Sequence, residues 1–337
     1  MSFKVQVEPS GHDFPVEQGE SVLDAALRHG LAFPYGCRNG FCGACKCKVV
    51  TGEVDYGDEE PGALTEQELA VGMALPCVAK AATDLVLEIK EVSATKDIPI
   101  RTLPAKIGRM EQLSPQVMGL WLKLPEGDRL QYLAGQYVNF ILADGRKRAF
   151  SIANAPHDDE FLEFHIGLVR GGRFTEQVFS EMHEKDLVRI EGPHGSFFLR
   201  EDSDRPIILL ATGTGFGPVK AIIEHALAEG VQRPIHIYWG ARTRADLYMH
   251  DRALRWAREY VNVHYHPVLS RPAAADQWEG RTGYVQDAVL ADFADVTGFE
   301  VYACGLPDMV LSAKKSLVER GLDPEHCYSD AFEWAKD

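Results

Sequence analysis

The chain has 337 residues, 45% of them hydrophobic, and a formal net charge of −15. That length accommodates two or three domains, the acidity argues against nucleic acid as a partner, and no apolar stretch is long enough to span a bilayer. The N-terminus, Met1-Ser2-Phe3-Lys4-Val5-Gln6-Val7, opens as an alternating strand without a signal-peptide pattern, and seven cysteines suit a reducing compartment, so a cytoplasmic protein is expected.

The first segment, 1–93, mixes short strands with one helix. Strands are expected at 3–8, 13–17, 46–51 and 85–90. Ser21 is a good N-cap, Val22, Leu23, Ala26 and Leu27 supply an apolar face, and Gly30 stops the helix. Between helix and third strand lies Gly36-Cys37-Arg38-Asn39-Gly40-Phe41-Cys42-Gly43-Ala44-Cys45, with a further cysteine at Leu75-Pro76-Cys77. The spacing C-x4-C-x2-C…C is that of a plant-type [2Fe–2S] centre, a carrier of single electrons. Cys37, Cys42, Cys45 and Cys77 are therefore the expected ligands. Gly36, Gly40 and Gly43 allow the backbone to approach the inorganic sulfides. Zinc sites favour paired short spacings, which are missing here. Cys47 has no place in the ligand pattern and reads as a strand residue. A small sheet crossed by a helix, with a cysteine loop at one edge, is an α+β β-grasp pattern. The segment is also acidic: residues 1–94 hold 7 Lys/Arg against 15 Asp/Glu. Asp55, Asp58, Glu59 and Glu60 form a local cluster, read either as a solvated face or as a docking surface for a basic electron acceptor.

Residues 94–103 lack periodicity and contain a proline, and read as a linker. The segment 104–200 is strand-rich, with strands expected at 117–124, 137–142, 161–169 and 187–191 and turns at short intervals. That texture predicts a closed antiparallel β-barrel. Arg148-Ala149-Phe150-Ser151 opens one strand: an arginine suited to phosphate, an aromatic suited to a flat ring, and a hydroxyl suited to a ring nitrogen. Gly171-Gly172-Arg173-Phe174-Thr175 starts a helix whose backbone N–H groups suit a pyrophosphate. The bland alternative is a glycine turn with Thr175 as a helix cap. Together the two motifs point to a flavin dinucleotide.

The segment 201–337 alternates strand and helix, which predicts a doubly wound parallel α/β domain. Gly213-Thr214-Gly215-Phe216-Gly217-Pro218 follows a buried strand and begins a helix, the placement that phosphate binding requires. Pro218 occupies the position where G-x-G-x-x-G has its last glycine. Cys304-Gly305 ends a later strand, where open α/β sheets bind ligands; a small buried hydrophobe is the competing reading for Cys304 and the only one for Cys327.

In this order the motifs resemble the ferredoxin–NADP reductase superfamily, in its form with an N-terminal plant-type ferredoxin domain, over essentially the whole chain. Oxygenase reductases are similar. The runs 195–202 and Tyr328-Ser329-Asp330-Ala331-Phe332 look most like the CDP-6-deoxy-glucoseen reductase group, which feeds electrons to a sugar-deoxygenating enzyme. The resemblance implies FAD in the barrel and NADH, or NADPH, in the α/β domain. It implies that Arg148 binds the FAD phosphate and Ser151 reaches flavin N5, with Ala149 and Phe150 between them and Phe150 standing where Tyr is usual. It implies that His165, Ile166 and Gly167 form a second flavin contact, with Gly167 where a basic residue is common. Gly172, Arg173, Phe174 and Thr175 follow at the pyrophosphate, with Thr175 in place of Ser. Cys304 and Gly305 would sit near the nicotinamide and Phe332 over the flavin face. Tyr238-Trp239-Gly240-Ala241-Arg242 and Ser270-Arg271 would border the adenosine half. Arg271 suits a 2′-phosphate, yet a similar Ser-Arg pair occurs in NADH-using relatives, so NADH is the expected donor.

The resulting expectation is an NAD(P)H-dependent iron–sulfur flavoprotein. Hydride would pass to FAD and single electrons through the cluster to an oxygenase or dehydrase component docking near the ferredoxin domain. A stand-alone flavin or ferric reductase and a non-catalytic redox-sensing module are the competing readings.

Overall fold

The computed structural model describes residues 2–57 and 61–332. Asp58, Glu59 and Glu60 of the acidic cluster lie outside the described residues. The chain divides into two compact units, Met1–Ile98 and Pro99–Asp337.

The first unit is built on a five-stranded sheet in the order Asp13–Glu17, Ser2–Glu8, Leu85–Glu88, Cys47–Thr51, Met73–Ala74. Ser2–Glu8 and Leu85–Glu88 pair in parallel, although they come from opposite ends of the unit. The helix Val22–Arg28 starts where Ser21 accepts a hydrogen bond from the Asp24 N–H. It turns Val22, Leu23, Ala25 and Ala26 onto Val5, Val7, Phe14, Leu85 and Leu87. Ala25 takes the inward place expected of Leu27, which is only partly buried. Each fully buried Val or Leu contributes about 1.5–3 kcal/mol. Cys47 begins its strand, buried, and burial raises its thiol to about 12.

The second unit opens with six antiparallel strands in the order Lys147–Ser151, Tyr137–Ile141, Leu187–His194, Arg101–Ser114, Val117–Lys123, Leu162–Gly167. The Ala153 N–H donates to the Glu163 carbonyl at 2.7 Å, so the two outer strands meet and the sheet curls into a barrel. Leu103, Ile107, Leu120, Phe140, Phe164 and Ile166 fill it. The expected linker is too long: residues 101–103 already pair with Ile190, Glu191 and Gly192. Pro104 and the surrounding charges conceal this strand, yet Leu103, Ala105 and Ile107 alternate inward with period two.

The rest of the unit is a six-stranded parallel sheet in the order Arg281–Thr282, Val263–Leu269, Ile235–Ala241, Ile207–Thr212, Glu300–Gly305, Cys327–Ala331. The chain runs outward from Ile207–Thr212 and returns on its other side at Glu300–Gly305, so the strand order reverses between these two. Ligand crevices of open α/β sheets lie beyond the strand C-termini at such a point. Gly213–Gly215 and the end of Glu300–Gly305 stand there. The helix Phe216–Ala228 follows the glycine turn directly, with Pro218 in its first turn, where a missing N–H costs nothing. Among the described residues no helix is long and apolar enough to cross a membrane.

Candidate functional site

Among the described residues, no three His, Cys, Asp or Glu converge on a site for a single metal ion. The four expected ligand cysteines divide into two pairs instead. The Cys37 and Cys42 N–H groups each donate to the other's Sγ at 3.4 Å, and Cys45 Sγ lies 3.2 Å from Cys77 Sγ. Two pairs of thiols fit two irons, whereas tetrahedral zinc would need all four on one point. Ala44 N–H donates to Cys42 Sγ as well, at 3.4 Å. Gly40 and Gly43 take φ of +84° and +70°, which gives the loop its turns around the ligands. The hydrogen bond with Cys42 holds the Cys37 thiol down at about 6, and the same contact pushes Cys42 up. Cys42 and Cys45 are buried, while Cys37 is partly open.

In the second unit a series of contacts joins the remaining motifs. Phe150, from Lys147–Ser151, packs on Phe174 at 5.4 Å, which brings the Arg148 strand beside the start of the helix Arg173–Ser180. Asp144 holds both Arg146, at 2.9 Å, and Arg173, at 3.7 Å. At the helix start, Thr175 Oγ1 accepts from Val169 N–H at 3.1 Å and lies 3.1 Å from the Gly172 carbonyl. Its hydroxyl therefore shapes the glycine turn at the helix start, where Gly171 N–H donates to Glu176 Oε1 at 2.7 Å. Ile166 and Phe174 point into the barrel core, so any contact they make with a cofactor runs through backbone. His165 is likewise committed: Nδ1 lies 3.0 Å from Tyr248 Oη and Nε2 2.9 Å from Glu163 Oε1. Gly167 faces the nucleotide turn; a Cβ there would stand 3.3 Å from Thr214 Cγ2. The basic side chain common at that position would meet Thr214.

Across the crevice, Gly213 turns with φ +53°. Trp239 Nε1 donates to its carbonyl at 3.1 Å, and the Trp239 ring stacks on Phe216 at 3.8 Å. Gly215 lies against the neighbouring strand end: a Cβ would come within 2.3 Å of the Cys304 carbonyl oxygen. Gly215→Ala must therefore displace either the phosphate turn or Cys304. It is expected to raise the KM for NAD(P)H about tenfold or more with FAD content unchanged, which steady-state kinetics and flavin absorbance will check. Cys304 is 0% exposed; burial, then the charge of Asp330, pushes its thiol up, so it stays protonated. Phe332 is held to Gly305 by its N–H at 2.8 Å. Ser151, at the end of the barrel strand, donates from Oγ to Asp330 Oδ2 at 3.2 Å.

Tyr238 and Trp239 are fully buried, and Tyr238 donates to Asp292 Oδ2 at 2.6 Å. Gly240 is explained by packing, since a Cβ would stand 2.7 Å from Val285 Cγ1. Arg242 and Ser270-Arg271 do come together: the Ser270 and Arg271 N–H groups donate to the Ala241 and Arg242 carbonyls, each at 2.9 Å. Both arginines are exposed. Sequence reasoning passed over Asp330, which has no motif of its own, and over the buried lysine Lys220, which sits where an apolar residue is the ordinary choice.

Three family models cover most of the chain: a 2Fe-2S iron-sulfur cluster binding domain over 5–82, an oxidoreductase FAD-binding domain over 104–199 and an oxidoreductase NAD-binding domain over 209–315. The CDP-6-deoxy-L-threo-D-glycero-4-hexulose-3-dehydrase reductase of Yersinia pestis is 40% identical over 332 residues, covering 98% of this chain and 99% of that protein. The reductase component of a phenol 2-monooxygenase from Pseudomonas sp. (strain CF600) is 36% identical, covering 100% and 96%. Among solved structures, the Amycolatopsis cytochrome P450 reductase GcoB matches with TM-score 0.77 and 32% identity, covering 98% of each chain.

Proposed function

Because the chain belongs to the ferredoxin–NADP reductase superfamily, in its form with a [2Fe–2S] ferredoxin domain, we propose that its NAD(P)H-driven electrons leave through the cluster loop to a separate oxygenase or dehydrase component. One observation carries this reading. Where the parallel sheet reverses its strand order, Ser151 bonds Asp330 and Gly215 packs against Cys304-Gly305, which supports one shared site for flavin and nicotinamide.

When bound, FAD takes a hydride from NAD(P)H and the [2Fe–2S] cluster passes electrons one at a time. Arg148 and the helix start at Gly172–Thr175 would hold the flavin's phosphates, and the Gly213–Gly215 turn those of NADH. The crevice floor is dry: Ser151 is 8% exposed, Asp330 6% and Cys304 0%. Ser151 Oγ gives its hydrogen bond to Asp330, which fixes the hydroxyl's direction. Cys304 presents a neutral thiol, so it adds no charge of its own beside the nicotinamide. Cys37, Cys42, Cys45 and Cys77 would hold the cluster. Phe41, within the ligand loop, is 43% exposed beside the partly open Cys37, which supports docking of the partner on the ferredoxin domain. None of the seven cysteines is paired in a disulfide, which suits a cytoplasmic location.

The test is NADH-driven reduction of cytochrome c, a basic one-electron acceptor, at rising ionic strength. The reading expects several-fold slower reduction between low and physiological salt, with flavin reduction insensitive to salt. Rapid release of free reduced flavin without reduction of the protein acceptor would favour a stand-alone flavin reductase instead.

A further inference from the structure

We propose that Tyr248, His165, Glu163 and Lys220 form a positioning relay that sets the nucleotide turn against the flavin strand. This inference rests on the reading of the crevice as a site of hydride transfer from NAD(P)H to FAD.

The relay begins in the alternation of one strand. In Leu162–Gly167, Leu162, Phe164 and Ile166 fill the barrel. Glu163 and His165 therefore face the α/β half. Lys220 Nζ reaches Glu163 Oε2 at 2.8 Å from the helix that follows Gly215. Its other donors go to the Ala153 carbonyl at 2.9 Å and Glu224 Oε2 at 3.0 Å. All three ammonium protons are thus spent, and one of them grips the chain two residues beyond Ser151. Glu163 Oε1 takes the His165 Nε2 contact at 2.9 Å, and His165 Nδ1 meets Tyr248 Oη at 3.0 Å. A carboxylate can only accept, so Nε2 carries the imidazole proton and Nδ1 accepts from the tyrosine hydroxyl. Burial would raise the Glu163 carboxyl, but the hydrogen bond from His165 and the charge of Lys220 outweigh it and hold it at about 2. Burial keeps His165 neutral. Tyr248 stands edge-on to Trp239, with ring centroids 5.1 Å apart and planes at 84°. Trp239 in turn donates to the Gly213 carbonyl. An unbroken path of contacts therefore runs from the phosphate turn to Ala153, two residues beyond Ser151.

Stability alone does not account for this arrangement. The Lys220 and Glu163 side chains are 2% and 9% exposed, and a buried ion pair is often no more stabilising than apolar side chains of equal volume. Greasy packing, however, tolerates sliding. Directed hydrogen bonds to three separate elements fix their spacing, and hydride transfer is steeply sensitive to the spacing of its two reacting atoms.

The test compares the full-length, FAD-loaded protein with Tyr248→Phe, which keeps the ring and removes the hydroxyl. Flavin reduction is followed by anaerobic stopped flow with NADH and with NADH deuterated at the transferred position. The relay expects reduction about tenfold slower and a larger isotope effect, with NADH affinity within about twofold and flavin content unchanged. Glu163→Gln, which keeps the shape, is expected to behave alike. Ile107→Ala, a core truncation in the barrel away from the relay, serves as a stability control. It is expected to lower the melting temperature at least as much while leaving the isotope effect alone. A wild-type rate and isotope effect in Tyr248→Phe would overturn the proposal, and so would slowing in all three variants in proportion to lost stability. Wild-type flavin that neither NADH nor NADPH bleaches would instead overturn the underlying reading of the crevice.

Discussion

Cys42→Ser is expected to cut NADH-driven reduction of cytochrome c by more than about a hundredfold while NADH still reduces the flavin at close to the normal rate. Cys42 is buried and exchanges N–H···S hydrogen bonds with Cys37. Serine keeps the volume and loses the thiolate on which iron ligation depends. The damage is confined because the ligand cysteines lie in Met1–Ile98, whereas the residues assigned to hydride transfer lie in Pro99–Asp337. Parallel assays of cytochrome c and flavin absorbance check the split. Equal loss of both activities in a folded, flavin-loaded variant would contradict the order of electron flow.

Asp330→Asn is expected to slow flavin reduction by NADH about a hundredfold, the scale that loss of a positioning contact beside the reacting atoms costs. Asparagine keeps the shape and can still accept from Ser151 Oγ, but it no longer carries the charge that orients the hydroxyl. Ser151→Ala should lose a similar amount. The double variant should be little worse than either single one, because the two act as one unit through a single 3.2 Å contact. Melting temperatures within a few degrees of the parent would separate this loss from unfolding. An additive loss in the double variant would mean that the two residues act independently.

The parts of this architecture visible in sequence are those that local spacing encodes. The ligand loop is one: three of its four cysteines lie within nine residues, 37–45, and glycines mark its turns. The Ile207–Thr212 strand with its glycine turn is another, since an apolar run, a Gly-x-Gly turn and a helix follow one another directly. The strand Arg101–Ser114 was hidden because Pro104 and nearby polar residues look like connector, and only its pairing with Leu187–His194 makes it a strand. Cys327–Ala331 was hidden for the opposite reason. Its Ser329 and Asp330 are polar residues that become buried beside Glu300–Gly305, at the edge of the crevice. The contacts that organise the crevice are long-range. Ser151 and Asp330 are 179 positions apart, and Lys220 and Glu163 are 57 apart. A lysine at 220 reads as a solvent-facing helix residue until the barrel is packed against it. His165 falls between these cases: its position suggested a flavin contact, but packing commits both ring nitrogens to Glu163 and Tyr248.

The central claim is that electrons entering from NAD(P)H at the crevice reach the cysteine cluster. Anaerobic titration of the whole chain with NADH, followed by flavin absorbance and low-temperature electron paramagnetic resonance, tests it most directly. FAD stores two electrons and the cluster one, so about one and a half equivalents of NADH should bleach the flavin and raise the signal of one reduced [2Fe–2S] centre per chain. A flavin that bleaches with one equivalent while a bound cluster stays oxidised would contradict the account.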